Sequence, residues 1–155
     1  MSTNLIRFVR TVALPASAQA VFDWHEAPGA FNRLTPPREP VQVISHTGGI
    51  RDGARVCLRV GPWPFRLRWD LEHVDYQPGR SFTDRQVRGP FRSWTHVHRI
   101  VPTGPDSCVL EDAIEYEMRG GAVGKWLGVL LMQPKLERLF DYRHAVTRRA
   151  FAAAS

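Results

Sequence analysis

The residues of this chain that could do chemistry are polar groups sharing a strand face with apolar ones. Between Ser107 and Met118, alternation puts Leu110, Asp112, Ile114, Tyr116 and Met118 on one side and Glu111, Glu115 and Glu117 on the other. Asp112 is thus the one charge on the apolar side. Between Phe91 and Val101, Trp94, His96, His98 and Ile100 share a face, and between Arg80 and Arg88, Phe82 brings Asp84 and Gln86 to its own side. A histidine titrates near neutral pH and a carboxylate can orient it, so His96 or His98 with Asp112 or Asp84 could act as general acid or base. No catalytic residue is assigned beyond these candidates. A few convergent polar groups in an aromatic shell also describe a ligand pocket, with Trp69, Phe82, Asp84, Gln86, Trp94, His96, His98, Asp112, Tyr116, Phe140 and Arg143 as its expected lining.

Each of these groups also has a plainer role. Arg143 falls on the apolar stripe of a helix, where an unpaired charge costs several kcal/mol. One buried ion pair between Asp112 and Arg143 would answer that cost, and direct ligand contact would answer it equally. The two histidines could simply bond to neighbours, and a one-residue bulge would turn both to water. His96 and His98, two apart on one strand, can converge on an ion with Asp84 or Asp112 as third ligand. Nothing in the spacing requires one, and no metal and no cofactor are expected. Ser81 and Ser93 lie in no nucleophile-elbow context. Gly120-Gly121 lacks the pattern of a phosphate loop.

The elements that must position these groups follow from periodicity and punctuation. Asn4 to Leu14 alternates as a first strand, and Pro15-Ala16-Ser17 ends it. Ser17 can cap a helix from Ala18 to about Glu26, with Ala18, Val21, Phe22 and His25 as its stripe. Pro28-Gly29 breaks it, and a second short helix runs from Ala30 to Leu34. Six antiparallel strands are then expected at Val41–Thr47, Ala54–Gly61, Phe65–Tyr76, Arg80–Arg88, Phe91–Val101 and Ser107–Met118. In the third of these Phe65, Leu67, Trp69 and Leu71 face one way. Gly120 to Phe151 reads as one long helix broken at Pro134. Its second half carries Leu136, Leu139, Phe140, Val146 and Ala150 on a stripe. Its first half is apolar all round, which suits a lid or an interface, with Trp126 and Leu130 prominent. Trp63, between two prolines, is either a turn residue or a flap over a pocket mouth. The fold class is α+β: a curved antiparallel sheet of about seven strands, β-α-α-β6-α, around a long C-terminal helix.

Bulk properties narrow the function. The 155 residues, 43% hydrophobic and 23% charged, suit a single domain over 1–155. The net charge of +6 is almost all arginine spread through every strand, not the clustered face that phosphate binding needs, so no nucleic acid is expected. No apolar leader opens the chain, and the run Trp126–Met132 is too short for stable membrane insertion. Cys57 and Cys108 are expected reduced and in the core, with a cytoplasmic location. A homodimer is one way to cover the 126–132 segment.

The stretches FDWHEAPGAFNRLTPP, GGIRDGARV, VRGPFRSWTHVHRI, LEDAIEYEM and LERLFDYRHAV resemble a bacterial branch of small domains of the START-like, or SRPBCC, superfamily. That superfamily includes Bet v 1-type allergens, plant hormone receptors and polyketide aromatases/cyclases, and members of the branch occur fused to proteins resembling nucleotide-sugar epimerases. The resemblance implies a helix-grip fold with a cavity between sheet and long helix, taking a small hydrophobic or amphipathic molecule. Gly61–Pro64 lies where the hormone receptors carry a gate. Three functions follow as expectations: binding of a lipid-like, aromatic or polyketide-like ligand; a cyclase/dehydratase-type enzyme using His96 or His98; or protein interaction through the 126–132 segment.

Overall fold

Alternation of buried and exposed residues builds the sheet one strand at a time. The computed structural model describes residues 4–152; the ends of the expected 1–155 domain lie outside them. Strand β1 (Leu5–Leu14) buries Ile6, Phe8, Val12 and Leu14. Ser17 then caps α1 (Ala18–Glu26), its side chain accepting from the Ala20 N–H. Helix α2 (Ala30–Arg33) is a single turn started by Gly29 in the left-handed region. There follow β2 (Val41–Thr47), β3 (Arg55–Val60), β4 (Leu67–Gln77), β5 (Ser81–Arg88), β6 (Ser93–Gly104) and β7 (Ser107–Glu117). All pair antiparallel with their neighbours in one seven-stranded sheet, in the order β1-β7-β6-β5-β4-β3-β2. Register shifts between Val43 and Ser45, Asp70 and Leu71, and Val74 and Gln77 interrupt the β2–β3 and β4–β5 ladders. Each extra residue bends its strand and increases the twist, and the sheet curls.

The C-terminal rod comprises α3 (Gly121–Leu127), a π-helical turn (Gly128–Met132) and α4 (Gln133–Ala152). The expected break is a widened turn just before Pro134. The proline ring would meet the carbonyl four residues back, and its missing N–H leaves that carbonyl without a helical donor. The ladder slips instead: Gln133 N–H donates to Gly128 O, five residues back. The Tyr116 hydroxyl donates to the same carbonyl at 3.3 Å. Gly124 and Gly128 let this half press onto the sheet, because a Cβ at Gly128 would lie 2.6 Å from Ile6 Cδ1.

Helix α4 lies nearest β1, where Phe140 packs on Phe8 with ring centroids 5.4 Å apart. Its buried face is Leu136, Phe140, His144 and Thr147. The expected stripe through Val146 and Ala150 is rotated from this: Ala150 is exposed, and Arg143 sits at the edge of the buried face. Glu117, expected in water, is buried with Arg92 Nη1 3.5 Å from its carboxylate. Cys57 and Cys108 are both buried and free. Among the described residues no helix is long and apolar enough to cross a membrane.

Candidate functional site

Where the sheet curls away from α4, a cavity of about 700 Å³ remains. Val56 and Leu58 of β3, Trp69 and Leu71 of β4, Trp94 of β6 and Phe91 just before it form one apolar wall; Leu136, Leu139 and Phe140 of α4 form the other. The closed end is polar. His25, His73, Asp84, His96, His98 and Arg143 all border it.

Strand register explains this convergence. Asp84 of β5 stands opposite His96 of β6, and His98 stands opposite Asp112 of β7. Their side chains point the same way because the strand period is two. His96 Nε2 donates to Asp112 Oδ1 at 2.9 Å, and His98 Nδ1 lies 2.9 Å from the same oxygen. His98 Nε2 donates to Asp84 Oδ2 at 3.0 Å. Two histidines outside the expected set complete the network. His144 Nε2 donates to Asp112 Oδ2 at 2.7 Å, and His73 Nε2 lies 2.7 Å from Asp84 Oδ1. Both had a signal in the sequence: His73 is two past Leu71 on the same strand face, and His144 is four past Phe140 on the helix.

The charges follow from the contacts. Burial alone would raise the two aspartates, but hydrogen bonds from His73 and His98 to Asp84, and from His144, His96 and His98 to Asp112, hold both well below the usual carboxylate range. Burial would lower His98 as well. Its bonds to Asp112 and Asp84 outweigh that and raise it to about 9, so it is an imidazolium bridging two carboxylates. Burial, with the His98 charge next to it, lowers His96 to about 4 and leaves it neutral. His25 is also lowered to about 4 by burial. Its Nδ1–H donates to Val21 O at 2.8 Å, leaving Nε2 unprotonated at the cavity.

Several expected lining residues stand elsewhere. Asp112 and Tyr116 are buried behind the wall and do not border the cavity; Tyr116 gives its hydroxyl to Gly128 O. Gln86 turns back on its own hairpin, donating to Phe91 O at 2.9 Å and accepting from Phe91 N. The expected Asp112–Arg143 ion pair does not form. Three histidines fill Asp112, and Arg143 Nε donates to Leu34 O at 3.2 Å instead. Trp69, Phe82, Asp84, Trp94, His96, His98, Phe140 and Arg143 do border the cavity. The expected gate and lid residues do not. Trp63 is 80% exposed beside a rim formed by its neighbours Gly61, Pro62 and Phe65, and Trp126 and Leu130 lie on the outer surface.

The family model for polyketide cyclase / dehydrase and lipid transport matches residues 14–139. The chain belongs to this family. Its architecture is the helix-grip fold of the START-like, SRPBCC superfamily, within which polyketide cyclase/dehydrase-type proteins sit. An aromatase/cyclase from a Streptomyces species is 16% identical with a TM-score of 0.73, over 96% of this chain and 94% of that one. A norcoclaurine synthase from Thalictrum flavum is 19% identical with a TM-score of 0.71, over 95% and 96%. At such identities these two share the fold with this member of the cyclase/dehydrase family. A nucleoside-diphosphate sugar epimerase from Corynebacterium glutamicum is 25% identical with a TM-score of 0.67, over 92% of this chain but 28% of its own. Among curated protein sequences none matches.

Proposed function

We propose that the chain binds one small molecule with an apolar body and a polar, hydrogen-bond-accepting end. The observation that carries this reading is the division of the cavity. Aromatic and aliphatic walls lead to a closed end where His73, His96 and His98 surround Asp84 and His25 and Arg143 also line the space. A volume of about 700 Å³ suits a lipid-like, aromatic or polyketide-like molecule. Arg143 spends its Nε on Leu34 O, and the guanidinium has further donors for a carbonyl, phenolate or carboxylate oxygen. Membership of a cyclase/dehydrase and lipid transport family supports the same reading. Native mass spectrometry of the freshly purified protein tests it. A retained molecule that is lost on denaturation is expected. Failure of the intact protein to retain or take up any apolar molecule or dye would overturn it.

A second reading, acid–base catalysis in the manner of a cyclase or dehydratase, rests on one further observation. His98 has both nitrogens against carboxylates, whereas His96 Nδ1 has no hydrogen bond and stands 3.7 Å from Asp84 Oδ2. With no ion bound, His96 is therefore the candidate for moving a proton, with Asp112 holding its ring. His96→Gln should abolish turnover of a bound polyketide-like substrate and leave its affinity largely intact; unchanged turnover would remove this reading.

A further inference from the structure

We propose that Asp84, His96 and His98 form a binding site for one divalent first-row transition metal at the closed end of the cavity. One ligand atom from each of the three lies within 4.8 Å of the other two. Asp84 Oδ2 stands 3.0 Å from His98 Nε2 and 3.7 Å from His96 Nδ1. Donor atoms bound tetrahedrally at about 2.0–2.2 Å are roughly 3.3 Å apart, so these separations already bracket what an ion needs.

Proximity of a carboxylate to two imidazoles would not by itself distinguish an ion site from a hydrogen-bonded cluster. What distinguishes it is how each group is held from behind. The far nitrogens of both histidines, His96 Nε2 and His98 Nδ1, meet the same oxygen, Asp112 Oδ1, each at 2.9 Å. A carboxylate behind a histidine fixes the tautomer and aims the other nitrogen at the metal. Here one carboxylate does so for two rings, leaving His96 Nδ1 and His98 Nε2 directed toward Asp84. Asp112 is steadied in turn by His144 at 2.7 Å, and His73 Nε2 stands 2.7 Å from Asp84 Oδ1, the oxygen not used for the ion. Without an ion, a hydrogen on His98 Nε2 occupies the gap to Asp84; the metal takes its place.

Two imidazole nitrogens and one carboxylate oxygen suit zinc, iron, cobalt or nickel, and are too few oxygens for calcium or magnesium. All three ligand residues border the cavity, so the remaining coordination positions face it and would take water or an oxygen of a bound molecule. This departs from the expectation of no metal. In the sequence, two histidines at a spacing of two fit either role, and only the shared acceptance by Asp112 assigns one.

The test uses the full chain, free of any affinity tag, stripped with a chelator and titrated with cobalt(II) or zinc(II) with no organic ligand present. Its outcome is therefore independent of what the cavity binds. Calorimetry is expected to give one ion per chain, with visible ligand-field absorption for cobalt(II). Asp112→Asn should weaken the affinity about 10–100-fold, and Asp84→Asn should weaken it further. Should a variant not fold, ¹⁵N NMR of the wild-type histidine rings decides the matter. Zinc must shift His96 Nδ1 and His98 Nε2. Failure to bind at one ion per chain, or shifts confined to exposed His46, would overturn the proposal.

Discussion

His144 Nε2 donates to Asp112 Oδ2 across 2.7 Å, joining the middle of α4 to the middle of β7 through two buried side chains. A buried carboxylate oxygen that loses its donor costs more than the bond's net worth. His144→Leu is expected to lower unfolding stability by roughly 2–4 kcal/mol. A double-mutant cycle with Asp112→Asn should show a coupling of roughly 1–3 kcal/mol. Additive losses in urea denaturation would mean that the pair does not act as a unit.

The metal-free protein should be most stable near pH 6.5. His98, raised from 6.5 to about 9, binds its proton more tightly folded than unfolded, so its contribution is complete below 6.5 and lost as pH rises to about 9. His25 and His96, lowered from 6.5 to about 4, act the other way. As pH falls below 6.5 the unfolded chain takes up protons that the folded rings refuse. Asp84 and Asp112, held well below 3.8, remove further stability once pH drops under that value. Unfolding free energies from denaturant titration should decline on both sides by an amount on the order of 1–3 kcal/mol. A flat profile from pH 6 to 9 would contradict the bridging imidazolium.

Leu139 is half-buried on the cavity side of α4. Leu139→Trp should fill space that is now open, reducing the affinity of an apolar fluorescent dye at least about 10-fold while changing stability by less than about 1.5 kcal/mol. Fluorescence titration and thermal melts measure the two effects separately. Undiminished dye affinity would place the dye outside the cavity.

Gly128→Ala should be costly for a different reason. Its Cβ would lie 2.6 Å from Ile6 Cδ1 and 2.8 Å from Met118 Cγ. Both neighbours belong to or adjoin the packed core, so an overpacking loss of roughly 1–3 kcal/mol is expected in equilibrium unfolding. A neutral substitution would show that the rod can lift off the sheet freely.

The strands other than the edge strand β2, which is exposed almost throughout, were legible because they bury one face, and an alternation of period two cannot slip without exposing it. That is why His96, His98, Asp84 and Asp112 could be placed inward from residue order alone. What alternation does not carry is depth. Asp112 and Tyr116 point inward as expected yet lie behind the cavity wall, while Phe65 and Leu67, on the same face as Trp69, line the cavity but remain largely exposed. The helix was harder to read because an ideal stripe through Leu139 and Val146 drifts from the row the helix buries, Leu136, Phe140, His144 and Thr147. Arg143 therefore stood in for His144, and with it a wrong partner for Asp112. Gln86 could not have been placed, since a glutamine at the mouth of a hairpin can satisfy its own turn as well as a ligand.

The widened turn at Gly128–Met132 accommodates one residue more than a regular coil would need. A wider turn rotates the chain less per residue, so its five residues carry the rod round about as far as four of a regular α-helix would. Deleting one of them would restore the regular ladder and leave Gly124 turned to Met118 and Trp126 turned away much as they are now. The turn is thus a place where chain length can change without changing which side chains meet the sheet. A homologue one residue shorter between Met118 and Pro134 can keep this architecture with the same side chains.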